Sequence, residues 1–260
     1  MTSNALTALR IVVTGGASGM GAGIVHAFAA DGATVVSLDV AEEAGREVAA
    51  RADERGRGRV HFVHCDVAST ESVDAAFARA AELLGGLDVL VHAAGIAPGT
   101  AAAQIAVEDW DRVLAVNARG TFLTNQAAFR LLSEKGGRIV NFASGAGAKG
   151  YPGKAHYAAS KGAVLAWTRT VAAEWGRFGI TVNALAPAIA TPMYAATRAA
   201  MSADQLAAHD AQLAVQMPVD GALGDIERDL VPVLRFLAGP GSRFVTGQTI
   251  AVDGGMLMVR

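Results

Sequence analysis

Short apolar runs alternate along the whole chain with longer segments of helical periodicity. The runs at 10–14, 34–39, 60–66, 87–93, 138–144, 181–186 and 248–252 carry many β-branched residues and lack strict apolar–polar alternation. Strands covered on both faces read this way, because neither face meets water. The segments between them, such as 73–84 and 109–132, have helical spacing. Seven β units joined by helices predict one α/β domain over residues 1–260, built on a doubly wound, seven-stranded parallel sheet. The stretch 193–217 breaks the rhythm. Ser202 with Gln205 three residues later has the form of a capping box, Leu206, Leu213 and Met217 then share a helical face, and Pro218 stops the helix. A helical lid over about 190–220 is therefore expected after the sixth strand, on the side where such sheets bind ligands.

Composition changes this picture little. The 260 residues are 52% hydrophobic, and 22 Lys+Arg against 24 Asp+Glu leave a net charge of −2. That balance offers no electrostatic reason for a nucleic-acid or membrane partner. No stretch approaches the ~18 consecutive apolar residues of a membrane span, and residues 1–10 interrupt with polar side chains the apolar core that a signal peptide needs. A cytoplasmic protein is expected. Cys65, the single cysteine, forms no intrachain disulfide and reads as a small buried residue. No metal site is expected.

Candidate chemistry begins after the first strand, with Thr14-Gly15-Gly16-Ala17-Ser18-Gly19-Met20-Gly21 leading into a helix. Such a turn lets the backbone approach a pyrophosphate and sets it at a helix N-terminus. Asp39 ends the second strand, eighteen residues after Gly21. A carboxylate there accepts from both hydroxyls of an adenosine ribose and repels a 2′-phosphate. Neither the loop nor the neighbours of Asp39 offer Arg or Lys, so NAD is favoured over NADP. Asp66, ending the third strand, can accept from the adenine amino group. Capping the next helix is the structural alternative for both aspartates.

Tyr157 and Lys161 stand four residues apart in a helical stretch and share a face. A free tyrosine is a poor base at neutral pH, and a neighbouring ammonium favours its phenolate. Ser144 ends the fifth strand, and Asn117 sits inside a long helix, where an amide invites explanation. Singly, each has a structural explanation.

Together with Ala93-Ala-Gly95, Val116-Asn117-Ala-Arg-Gly120, Tyr157-Ala-Ala-Ser-Lys161, Val182-Asn183, Pro187 with Thr191, and Val252-Asp-Gly-Gly255, these elements resemble the short-chain dehydrogenase/reductase family over essentially the whole length. The resemblance implies a single Rossmann-type domain and direct hydride transfer between NAD(H) and a secondary alcohol or its ketone. It implies a catalytic set of Asn117, Ser144, Tyr157 and Lys161. Tyr157 would move the hydroxyl proton, Ser144 would hold the substrate oxygen, Lys161 would lower the Tyr157 pKa and hold the ribose, and Asn117 would keep a relay water. It also adds Val67, Ala93, Gly95, Tyr157, Lys161, Pro187, Ile189 and Thr191 to the cofactor site, and a homotetramer paired through 109–132 and 157–175, with a second interface around 252–260. Two departures stand out: His92-Ala93 replaces the usual pair of asparagines, and Ala188 replaces a glycine.

The substrate site is expected to take in Ser144, Tyr151, Tyr157 and Met193. The lid's methionines suggest a largely apolar small molecule. Arg198 is the one feature that cuts the other way, able to pair with a substrate carboxylate, but a solvated place on the lid's outer face is the favoured reading. Two rival readings are an NADP-dependent reductase of carrier-bound 3-ketoacyl chains, which Asp39 disfavours, and a non-catalytic dinucleotide-binding protein, which the complete Tyr157–Lys161 set disfavours.

Overall fold

The computed structural model describes residues 6–258, except for the side chain of Met193. The strands are β1 (Arg10–Thr14), β2 (Thr34–Asp39), β3 (Arg59–His64), β4 (Val89–His92), β5 (Gly137–Phe142), β6 (Ile180–Pro187) and β7 (Thr249–Val252). All neighbours pair in parallel, in the order β3-β2-β1-β4-β5-β6-β7. The predicted runs are recovered with ends shifted by up to two residues.

The missing alternation has a direct cause. In β1, Ile11 and Val13 face one apolar layer, with Ile24 and Phe28 of helix α1 (Gly19–Ala30). Val12, between them, faces a second layer with Phe77 of α3 (Thr70–Leu84) and Leu123 of α5 (Gly120–Leu132). Side chains alternate across a sheet that is covered on both faces, so every position is apolar. The remaining helices are α2 (Glu42–Arg55), α4 (Val107–Leu114), α6 (Gly145–Lys149), α7 (Ala155–Trp175), α8 (Pro192–Ala199), α9 (Ala203–Gln216) and α10 (Val231–Ala238). Arg235 of α10 grips the buried Asp31 carboxylate at the end of α1 through two hydrogen bonds, closing one outer layer on the other end of the chain.

The strand order reverses at β1, which has β2 on one side and β4 on the other. Chain segments leaving these two strands diverge and open a crevice at their carboxyl ends. The expected helix at 109–132 is not continuous. A π-helical turn at Ala115–Arg119 separates α4 from α5 and carries Asn117 at its centre. The lid is a helix pair, α8 and α9. Ser202 and Gln205 form the anticipated capping box, and Leu213 and Met217 are buried. Among the described residues, no helix is long and apolar enough to cross a membrane.

Candidate active site

Two parts of one crevice carry the candidate residues. The first is the glycine turn between β1 and α1. Gly15 has φ +71°, and a Cβ there would stand 2.8 Å from the Ala94 backbone, so only glycine lets the turn lie against the end of β4. A Cβ on Gly21 would collide with the Gly15 carbonyl oxygen at 2.0 Å. The N-terminus of α1 is left open. Ser18 makes no capping hydrogen bond and the first turn has no acidic residue, whereas Ser69 and Ser202 cap α3 and α9. Free N–H groups at the start of a twelve-residue helix, beside glycine-lined space, fit a dinucleotide pyrophosphate. Thr191 comes to the same place from the far side, its methyl 3.9 Å from where a Gly19 Cβ would be. Met20 is half-buried behind the turn and packs on the first apolar layer.

Asp39 is drawn to this turn. Its carboxylate accepts from the Ala17 N–H at 3.0 Å and the Ala41 N–H at 2.9 Å, and each oxygen keeps further acceptor capacity. Asp66 is exposed and accepts from the Ala68 N–H at 2.9 Å, while Val67 beneath it is buried against Gly120. Both aspartates thus brace backbone amides, and Asp39 does so at the glycine turn itself. Pro187 ends β6 and lies on the cleft, and Ile189 is buried beside it. The two departures are accommodated, although His92 Nε2 is buried with no hydrogen-bond partner. Ala188 has no positive φ and bonds normally, donating to Val252 O at 2.9 Å. His92 Nδ1 lies 2.9 Å from Thr14 Oγ1 and 3.0 Å from Thr124 Oγ1, so the imidazole itself ties β4 to β1 and α5. Burial and the nearby Lys161 ammonium push its pKa down to about 3, which makes it a neutral strut.

The second part gathers Asn117, Ser144, Tyr157 and Lys161. Ser144 caps α6, accepting from the Ala146 N–H at 3.1 Å, and its hydroxyl meets the Tyr157 phenol. Both line a cleft of about 290 Å³ together with Tyr151 and Pro187. The π turn aims Asn117 inward. Its Oδ1 accepts from Ile96 N–H at 2.8 Å, and its Nδ2 donates to Ile96 O and to Ser160 Oγ, each at 2.9 Å. Asn117 therefore clamps the loop after β4 to α7 and has little left with which to hold a relay water. Gly95 makes the approach possible, since a Cβ there would lie 3.2 Å from Asn117 Oδ1 and 3.3 Å from Lys161 Nζ. Sequence reasoning missed Ser160 although it lies inside the Tyr157-to-Lys161 motif. It also missed the Phe142 carbonyl, which no side-chain pattern could reveal.

Lys161 departs from expectation. Its Nζ is buried and donates to Phe142 O at 2.6 Å, and it stands 5.9 Å from the centroid of the Tyr157 ring. Burial raises the Tyr157 pKa above its ordinary value near 10, and only the Ser144 hydrogen bond draws it back. The expected lowering of that pKa by Lys161 is not seen in this state, because the ammonium is turned to a carbonyl. His156, beside Tyr157, is fully buried and lines no part of this cleft. Met193, expected at the substrate, has its side chain outside the described residues. Arg198 does not face the substrate as a free cation. It grips Asp210 of α9 and contacts Tyr194 Oη, which in turn lies 2.8 Å from His209 Nε2.

Burial also brings the Lys161 pKa from near 10.5 down to about 8. Between those values the unfolded chain holds a proton that the folded one has lost, so stability rises with pH across that window. Below about pH 8 the buried ammonium is a constant cost of roughly 3 kcal/mol at one pKa unit per ~1.4 kcal/mol. Lys161→Met is expected to stabilise the chain without cofactor by about 1–3 kcal/mol at pH 7, after the lost Phe142 hydrogen bond is counted. The gain should fade by pH 10.5. Urea melts at both pH values check this, and equal or lower stability of the variant at pH 7 would contradict it.

The profile of the family described as enoyl-(acyl carrier protein) reductase matches residues 15–257. The short-chain reductase protein NovJ of Streptomyces niveus is 39% identical over 94% of this chain and 92% of its own length. The (2S)-[(R)-hydroxy(phenyl)methyl]succinyl-CoA dehydrogenase subunit BbsD of Thauera aromatica is 38% identical over 94% of each chain. A crystal structure from Sinorhizobium meliloti 1021, assigned to the short-chain alcohol dehydrogenases, superposes with a TM-score of 0.88 at 31% identity over 98% of each chain. With its seven-stranded parallel sheet and a glycine turn, Ser, Tyr and Lys assembled in one crevice, this chain belongs to the short-chain dehydrogenase/reductase family.

Proposed function

We propose that the protein is an NAD(H)-dependent oxidoreductase that interconverts a secondary alcohol and its ketone. The observation that carries this reading is the Ser144–Tyr157 pair opening onto a largely apolar cleft, with the buried Lys161 ammonium behind it. A bound nicotinamide supplies the hydride acceptor or donor, and its oxidised ring adds a positive charge that favours the phenolate. The chain's own residues do the rest. The phenol oxygen of Tyr157 takes the carbinol proton in oxidation and returns it in reduction. Ser144 donates to the substrate oxygen and fixes its direction toward Tyr157. Lys161 would hold ribose hydroxyls in place of the Phe142 carbonyl, and Asn117 acts as a positioning residue through Ile96 and Ser160. Gly15, Ser18, Gly19, Met20, Gly21 and Thr191 would hold the pyrophosphate, and Asp39 would hold the adenosine ribose.

A homotetramer in the cytoplasm goes with this reading. Val107 and Trp110 on α4, Phe122 on α5 and Phe244 before β7 are exposed apolar side chains, with Phe244 94% exposed. Exposed apolar side chains of this size are expected to be covered by further copies of the chain. Light scattering should give four chain masses. A monomer at micromolar concentration would contradict it. The function is tested by screening secondary alcohols for reduction of NAD, with NADP run in parallel. Turnover with NAD well above that with NADP is expected. Clear preference for NADP would favour the 3-ketoacyl reductase reading instead.

A further inference from the structure

Resting on that reading, we infer that the substrate carries a carboxylate, bound at the mouth of the cleft by Lys149 and Lys154. Both lysines line the same cleft as Ser144 and Tyr157. Lys149 lies in the last turn of α6 and Lys154 directly precedes α7, so the two flank the turn that presents Tyr151. Each ammonium donates to one backbone carbonyl: Lys154 to Ala97 at 2.5 Å and Lys149 to Met256 at 3.2 Å. Among the described residues neither has a carboxylate partner, although ten arginines do. The one acid on the cleft wall, Asp253, is buried and accepts from the Gly255 N–H at 3.0 Å and the Leu257 N–H at 2.7 Å. Its charge is thereby spent on the backbone.

The rest of the wall is apolar, with Ala146, Ala186, Pro187, Ala188 and Met256. Lys149 is exposed and Lys154 half-buried, and with one carbonyl bond each both ammoniums keep free donors. Stability does not ask for Lys154. A cation just ahead of a long helix opposes the helix dipole, and α7 has no acidic residue in its first turn to offset it. An anion held at the cleft by the lysines offsets that cost and takes up their free donors. The cleft, at about 290 Å³, lies at the small end of ligand sites, which run ~300–1,000 Å³. The anion therefore belongs to the substrate itself, a hydroxy acid or keto acid with an alicyclic or aryl body, not to a remote carrier. Arg198, bound to Asp210 on the lid, is replaced in this role by the two lysines.

The test is calorimetric titration of the NADH-saturated enzyme with cyclohexanecarboxylate and with cyclohexanecarboxamide, its neutral match in shape. The wild type is expected to bind the carboxylate about tenfold or more tightly than the amide, and the advantage should shrink as salt is raised. Lys149→Met with Lys154→Met should bring the ratio near one, and each single variant should fall between. Because Lys154 also braces the loop after β4, Lys149→Met and the salt series keep the test decisive if the double variant folds poorly. Equal binding of acid and amide by the wild type overturns the inference, as does a preference that survives both substitutions. Lysine-dependent carboxylate binding without turnover of any hydroxy acid would support the anion site and count against the proposed reaction.

Discussion

Tyr157→Phe is expected to lower turnover of a secondary alcohol by about 10²–10⁴-fold, the usual contribution of a positioned acid–base group. The change removes one oxygen, and the ring keeps its place between Ser144 and Lys161. NADH affinity, followed by fluorescence titration, should change little, because most of the proposed cofactor contacts lie at the glycine turn and Asp39. The pH profile adds a second readout. Oxidation needs the phenolate, whose formation burial opposes, so kcat/KM for the alcohol should climb with pH in the wild type. Reduction needs the phenol and should fall at high pH. Both slopes should vanish in the residual activity of the variant. Near wild-type turnover would remove Tyr157 from the mechanism.

Asp39→Ser combined with Val40→Arg is expected to reverse cofactor choice. Asp39 sits at the glycine turn, held by the Ala17 and Ala41 N–H groups, and Val40 beside it is 64% exposed with room for a longer side chain. Loss of charge-assisted hydrogen bonds to a ribose, at ~1.5–3 kcal/mol each, corresponds to roughly 10–100-fold in kcat/KM for NAD. An arginine in the second position gives a 2′-phosphate a planar partner, so kcat/KM for NADP should rise as that for NAD falls. Serine keeps one acceptor for the loop amides, which limits damage to the turn. An unchanged ratio of the two values would show that Asp39 does not read the ribose.

How much of this was legible in the sequence follows from the range of each interaction. β1 and β2 were delimited to the residue because a strand buried on both faces writes its burial into consecutive positions. The lid's capping box was legible because its partners, Ser202 and Gln205, lie three residues apart. Asn117 drew notice as an awkward helix former, but not the π turn that rotates it toward Ile96, because one extra backbone residue leaves no compositional mark. Lys161 was assigned to Tyr157 by helical spacing. Its bond to Phe142 O depends on how α7 crosses the end of β5, which spacing does not encode. The Asp210 partner of Arg198 was not legible for the same reason, since it reaches Arg198 from a neighbouring helix of the lid. Nothing in the spacing of Lys149 and Lys154 marks them; the fold sets them on one cleft.

Direct hydride transfer from a carbinol carbon leaves an isotopic signature on the cofactor. A secondary alcohol carrying deuterium on its carbinol carbon is incubated with the enzyme and NAD, and the reduced cofactor is analysed by mass spectrometry. One deuterium per reduced cofactor is predicted, with the matching ketone formed in equal amount and the transfer lost in Tyr157→Phe. Unlabelled reduced cofactor, or none with any secondary alcohol offered, would contradict the account.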